Sequence, residues 1–307
     1  MSEIPTEGEH PQSADLDLLS TQALVALFIG LQRRAVDAAA SQITGIATVV
    51  DEIAARLDAG GRLHYVGAGT SGRLAMLDAA ELPPTFGTAP ELVRVHLAGG
   101  ADALQHAVEG AEDDGQAGAQ AIHDAVTPGD AVVGLSASGG APFVVRAVAA
   151  ARALGAYTVA ITGVEESPLA RAAQQVIIVS TGAEPLSGST RLTAGTAQKI
   201  VLNALSTAVM VRLGRVYGNA MVDVRPTNEK LRARAVRLTI RLGSSPTQPR
   251  RAITQEQALA LLGRAEWNVK VAVVMARCNL DVDAARRLLA VHRDRLREVL
   301  AQSELRA

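Results

Sequence analysis

Short apolar runs recur through the middle of the chain, and each ends in glycine, serine or threonine. They are LHYVGAG at 63–69, ELVRVHLAGG at 91–100, DAVVGLSAS at 130–138, AYTVAITG at 156–163 and QQVIIVSTG at 174–182. Each reads as a buried strand, with helical stretches between them. Strands alternating with helices predict right-handed crossovers and a doubly wound, five-stranded parallel sheet covered on both faces, an α/β fold. Ligands of such sheets bind at the carboxyl ends of the strands, where the small polar residues sit.

The chain start reads as a flexible tail, followed by helices from about Leu16 to Ala59, where DEIAARLDAGG closes on a glycine pair. A long helix is predicted from Thr193 to Leu213, and GSSPTQPRR at 243–251 has linker character. Beyond it TQEQ at 254–257 spells a capping box. Val269, Ala272, Val273 and Ala276 keep helical spacing, as do Leu289, His292, Leu296 and Val299. The expected organisation is an N-terminal tail with helices over 1–47, the sheet domain over 48–242 and a bundle of about three helices over 252–307.

Composition narrows the function classes. Of 307 residues 48% are hydrophobic, 20% charged and only 2% aromatic, so the core is aliphatic and no platform exists for stacking bases. A net charge of −1 lacks the basic excess that a nucleic-acid backbone attracts. The one basic cluster, Arg232, Arg234, Arg237 and Arg241, reads as a solvated helix face or subunit contact. The single cysteine, Cys278, cannot pair internally, MSEIPTEGEHPQ is not a signal peptide, and no run approaches the ~18 apolar residues of a membrane span. A cytoplasmic protein is expected, without nucleic-acid or membrane partners.

Gly67, Gly69 and Gly72 have the GxGxxG spacing of a dinucleotide site, yet the next strand ends HLAGG without the acidic residue that would hold a ribose. The same loop offers Thr70 and Ser71 at a helix N-terminus, where free amides favour phosphate. SASGG at 136–140 repeats the arrangement with Ser136, Ser138 and Gly139. GAEPLSGSTR at 182–191 adds Glu184, Ser187, Ser189, Thr190 and Arg191. Singly each is ordinary turn chemistry; jointly they read as one phosphate site. No Walker-type P-loop sequence occurs.

Two carboxylates suit acid–base work. Glu81 is expected at a helix end enforced by Pro83 and Pro84, where the negative helix terminus would raise its pKa and suit it as a general acid. HAVEGAEDD crowds Glu109, Glu112, Asp113 and Asp114 within about two turns, so repulsion would favour protonating one of them, unless this is simply a solvated acidic helix end. His106 reads as a partly buried structural histidine, and the six histidines show no metal-ligand spacing, so no metal site is expected.

GAGTSGRLAMLDAAELPPTFG, AGGADALQHAVEGAEDD, SASGGAPFVV, GAEPLSGSTRLTAGTAQK and GNAMVDVRPTNEKL, spread over about 60–235, resemble segments of the N-acetylmuramic acid 6-phosphate etherases in order and spacing. That family is built on the sugar isomerase (SIS) domain. The resemblance implies a flavodoxin-like SIS fold with a UBA-like C-terminal bundle, no cofactor, and hydrolytic loss of D-lactate from N-acetylmuramic acid 6-phosphate. It implies that Glu81 is the proton donor and Glu112 the second active-site glutamate. It further implies that the loop residues from Gly69 to Arg191 named above bind substrate, in a homodimer with the site near the interface. Thr193 and Ala141 depart from the family, which often carries Lys and Thr there, at a cost of ~1–3 kcal/mol in phosphate binding if nothing compensates. Lys199, Asn228 and Lys230 receive no role. A non-catalytic sugar-phosphate sensor, like the related glucokinase regulatory protein, and an aldose–ketose isomerase on the same fold are the alternatives.

Overall fold

The computed structural model describes residues 5–244 and 252–304, so most of the expected linker lies outside the described residues. Helices α1 (Thr21–Leu31), α2 (Arg33–Ala40) and α3 (Ile43–Asp58) precede strand β1 (Leu63–Gly67). Then α4 (Gly69–Phe86), β2 (Val93–Leu97), α5 (Gly115–His123), β3 (Ala131–Leu135), α6 (Pro142–Ala153), β4 (Tyr157–Thr162), α7 (Pro168–Ala172) and β5 (Gln175–Ile178) alternate. Helices α8 (Thr193–Arg212), α9 (Glu229–Gly243), α10 (Gln255–Arg264), α11 (Val269–Cys278), α12 (Val282–Val291) and α13 (Leu296–Glu304) complete the chain.

All strand pairs are parallel, in the order β2-β1-β3-β4-β5. Every residue of β1 and β3 is buried, as central strands covered on both faces require. The glycine spacing after β1 serves packing. A Cβ on Gly67 would lie 2.6 Å from the Gly72 nitrogen, and one on Gly72 would lie 2.3 Å from Leu97 Cδ1. Only glycines let the strand end and the first turn of α4 approach so closely. Farther along α4, buried Asp78 accepts from Tyr65 Oη at 3.2 Å and from Ser206 Oγ of α8 at 3.0 Å, and burial pushes its carboxyl pKa up.

Helix α4 does not stop at Glu81 as expected: it runs through Pro83 and Pro84 to Phe86. The prolines remove two amide donors, but the Gly87 amide still bonds the Pro83 carbonyl at 3.0 Å, so the helical path survives. Glu81 therefore lies more than a turn before the helix end, beyond the reach of the terminal dipole.

The chain divides into two compact units, Met1–Ala80 with Pro90–Val209 and Glu81–Ala89 with Met210–Ala307. In the second, α9 buries Leu231, Ala235 and Leu238 in one core with Leu262, Val271, Val274 and Met275. Thr254 Oγ1 accepts the Gln257 amide at 3.2 Å while Gln257 Oε1 accepts the Thr254 amide at 2.9 Å, the reciprocal box read from the sequence. Leu289 and Val299 do not share a helix, however. Arg293 and Asp294 take left-handed φ values of 50° and 57°, ending α12, so that among the described residues four helices follow the linker. Trp267 is also left-handed, at φ 63°, with the Arg232 guanidinium 5.4 Å from its ring centre.

A histidine pair, His64 buried and His96 half-buried, is expected to make the first unit acid-sensitive. His64 Nδ1 lies 3.0 Å from His96 Nε2, and His64 Nε2 lies 3.6 Å from Asp130 Oδ2. Burial first, then neighbouring His96, holds His64 down to about 4 from its usual 6.5. A folded pKa below the unfolded one means the stabilisation is complete above pH 6.5 and is lost as pH falls toward 4, by about 1.4 kcal/mol per unit. Urea unfolding at pH 7.5 and 5 should show wild type losing about 2 kcal/mol more than His64→Leu. Referencing to that variant cancels Asp78 and Asp223, whose raised values act in the opposite direction. Equal losses in the two proteins would contradict this.

Candidate active site

A cavity of about 370 Å³ opens where the chain leaves β1 and β3, the strands between which the sheet order reverses. This is where doubly wound folds bind ligands. The turn after β1 contributes Gly69, Thr70 and Ser71, and the turn after β3 contributes Ser136 and Ser138. Gly188 and Thr190 close another side, and Glu112, Asp113 and Glu7 place three carboxylates in the same lining. No lysine or arginine lines it among the described residues.

Local hydrogen bonds decide what these hydroxyls can do. Ser136 Oγ accepts the Gly139 amide at 3.1 Å and Ser138 Oγ accepts the Gly140 amide at 3.2 Å. Their own O–H protons are left to donate to an anion. Ser71 Oγ instead donates to Gln198 Oε1 of α8 at 2.8 Å, while Gln198 Nε2 is buried without a partner. Helices α4 and α6 both begin at this lining, with Gly69 and Pro142, and α4 adds unsatisfied first-turn amides that favour negative charge.

The remaining residues expected at the site shape it from outside the lining. Gly139 has φ 68°, and a Cβ there would come within 2.2 Å of Ser167 Oγ, so it sets the turn that carries Ser138. Glu184 is fully buried and caps α8, its two oxygens accepting the Thr193 amide at 2.9 Å and the Ala194 amide at 2.8 Å. Ser187 Oγ donates to the Glu7 carbonyl at 2.8 Å. Ser189 and Arg191 belong to the same loop but not to the lining, and Glu81 is exposed and belongs to the second unit. Of the two departures, Ala141 lines the cavity and Thr193 does not.

HAVEGAEDD is not two turns of one helix. Gly110 is left-handed at φ 72°, Ala111–Asp113 form a short 3-10 turn carrying Glu112, and Asp114 caps α5 through the Ala117 amide at 2.9 Å. His106 is exposed instead of partly buried; its carbonyl accepts from Arg73 of α4 at 3.1 Å, which fixes the preceding loop. Sequence reasoning missed Glu7 and Gln198, and named Asp113 only as one member of the acidic cluster. Glu7 gave no signal because its contacts are with residues about 180 positions away.

Among the described residues no three His, Cys, Asp or Glu side chains form a metal-binding group, and no helix is long and apolar enough to cross a membrane. A second cavity, of about 460 Å³, lies within the second unit; of its charged side chains, Arg215 and Lys270 pair with Asp223, Arg286 pairs with Glu266, and Arg225 donates to the Gly87 carbonyl.

Residues 45–152 match the model of the glucokinase regulatory protein N-terminal SIS domain, and residues 111–208 match the SIS domain. An N-acetylmuramic acid 6-phosphate etherase of Trichormus variabilis is 48% identical over 297 residues, covering 96% of this chain and 94% of that protein. The chain belongs to the N-acetylmuramic acid 6-phosphate etherase family. Etherases of Salmonella agona, 45% identical over 97% of this chain and 98% of theirs, and of Symbiobacterium thermophilum, 50% identical over 78% of this chain and 80% of theirs, agree. The fold is also that of a phosphoheptose isomerase from Francisella tularensis, which superposes with a TM-score of 0.51 at 18% identity over 63% of this chain and all of that one. The hydroxyl-lined cavity of the first unit also carries Glu112.

Proposed function

We propose that this protein cleaves the D-lactyl ether of N-acetylmuramic acid 6-phosphate, giving N-acetylglucosamine 6-phosphate and D-lactate by elimination followed by water addition. The observation that carries the reading is Glu112 in the same cavity as the hydroxyls of Thr70, Ser136, Ser138 and Thr190. The hydroxyls and the α4 amides suit the 6-phosphate, and the carboxylate suits the proton at C2.

In the open-chain sugar, C2–H lies beside an aldehyde. Glu112 removes this proton, the electron pair forms the C2–C3 double bond, and the C3–O bond breaks. The leaving lactate oxygen takes a proton from an acid, which the family resemblance assigns to Glu81. Water then adds at C3 of the unsaturated aldehyde, giving up a proton to the group that protonated the lactate, and Glu112 returns its proton to C2, leaving the saturated aldehyde. The activity is that of a carbon–oxygen lyase, in a cytoplasmic homodimer as the resemblance implies; light scattering tests the dimer.

The deciding experiment incubates purified protein with N-acetylmuramic acid 6-phosphate and with the unphosphorylated sugar, and measures D-lactate with a coupled dehydrogenase. Release only from the phosphorylated sugar supports the reading, and no release from either defeats it. The match of residues 45–152 to the regulatory-protein domain favours a non-catalytic sugar-phosphate regulator as second reading. Tight binding of hexose 6-phosphates without lactate release would select it.

A further inference from the structure

We propose that Glu7 is a substrate-contacting residue that accepts hydrogen bonds from the sugar's hydroxyl or acetamido N–H groups and so orients the sugar toward Glu112. The proposal rests on the etherase reading and extends it to a residue that neither the motifs nor the family resemblance marked.

The position of Glu7 is fixed by backbone. Pro5–Glu7 form a 3-10 turn whose Thr6 is 5% exposed. The Gly188 amide donates to the Thr6 carbonyl at 2.9 Å, and Ser187 Oγ donates to the Glu7 carbonyl at 2.8 Å. Farther along, His10 is 3% exposed and its Nδ1 accepts the Gln12 amide at 3.2 Å. The segment is therefore pinned on the 187–188 loop, where a flexible tail was expected, and its side chains have defined directions.

Gly188 makes room for the carboxylate. It is left-handed at φ 74°, and a Cβ on it would stand 2.9 Å from Glu7 Oε2. The loop thus passes directly beneath the Glu7 side chain, which lines the cavity with Glu112, Asp113 and the hydroxyls.

The chemistry of that placement is directional. An ionised carboxylate only accepts hydrogen bonds, and among the described residues no lysine or arginine lines the cavity to occupy it. It attracts the hydroxyl and amide donors of a sugar and repels a phosphate. The phosphate is thereby steered to Ser136 and Ser138, and the donor-bearing carbons to the carboxylates.

Glu7→Ala and Glu7→Gln test this, because the contacts that hold the segment come from backbone atoms both variants keep. Calorimetry measures binding of N-acetylglucosamine 6-phosphate and of inorganic phosphate, beside kcat and KM for lactate release and a melting curve. Glu7→Ala is expected to weaken sugar-phosphate binding about tenfold and to raise KM more than it lowers kcat, with inorganic-phosphate binding not weakened and melting unchanged. Glu7→Gln, which retains one acceptor, is expected to fall between. Unchanged sugar-phosphate affinity and KM in Glu7→Ala would overturn the proposal while leaving wild-type etherase activity standing. Equal weakening of both ligands with a lowered melting point would make the segment purely structural and also overturn it. A wild type that neither binds the sugar phosphate nor releases lactate would sink both this proposal and the etherase reading.

Discussion

Glu112→Gln is expected to lower kcat/KM for lactate release by roughly 10²- to 10⁴-fold without unfolding the protein. Its backbone is fixed by packing that the side chain does not share. Asp114 caps α5, and α5 meets α6 through Gly115 and Gly118, where a Cβ would fall 2.7 Å from Arg146 Cγ and 2.1 Å from the Phe143 carbonyl oxygen. Glutamine preserves shape and removes the base. Proton exchange at C2 in deuterated water separates the two glutamates. Glu112→Gln loses exchange and release together, whereas Glu81→Gln loses release and keeps exchange. The reverse pattern would swap their roles, and wild-type kinetics in Glu112→Gln would remove it from the reaction.

The largest stability effect is expected at Asp223. Lys270 is 3% exposed, and its Nζ lies 2.7 Å from both Asp223 Oδ2 and the Asp294 carbonyl oxygen. Burial drives the Lys270 pKa down and the Asp223 pKa up, and each is opposed by the other's charge. Asp223→Ala strands a buried ammonium beside Arg215, at a cost of about 3–5 kcal/mol. Lys270→Met costs less, because Arg215 at 3.5 Å still faces the carboxylate. Urea unfolding of the two variants checks the order, and equal losses would count against an unpaired buried charge as the cause.

The sheet was legible because each strand is a compact apolar run ended by small polar residues, and parallel order follows from alternation. The hydroxyl-bearing loops that line the cavity were legible for the same reason, since Thr70, Ser71, Ser136 and Ser138 lie at strand ends. What local pattern could not carry was long-range. Glu184 reads as a loop acid until α8 supplies two amides for it, and Ser187 reads as a ligand by its loop alone, whereas its Oγ donates a hydrogen bond to the Glu7 backbone carbonyl. The proline pair misled because proline opposes a helix only through two lost donors and local crowding, which surrounding packing can outweigh. The four-helix ending was hidden because the break at Arg293 and Asp294 uses neither glycine nor proline.

Trp267 is the chain's one tryptophan, and it belongs to the C-terminal unit, whereas Tyr65 and Tyr157 belong to the first. Red-edge excitation therefore gives a built-in optical reporter for the second unit alone. If its emission shifts at one urea concentration while lactate release fails at another, the two units melt separately; a single shared midpoint makes them one cooperative body.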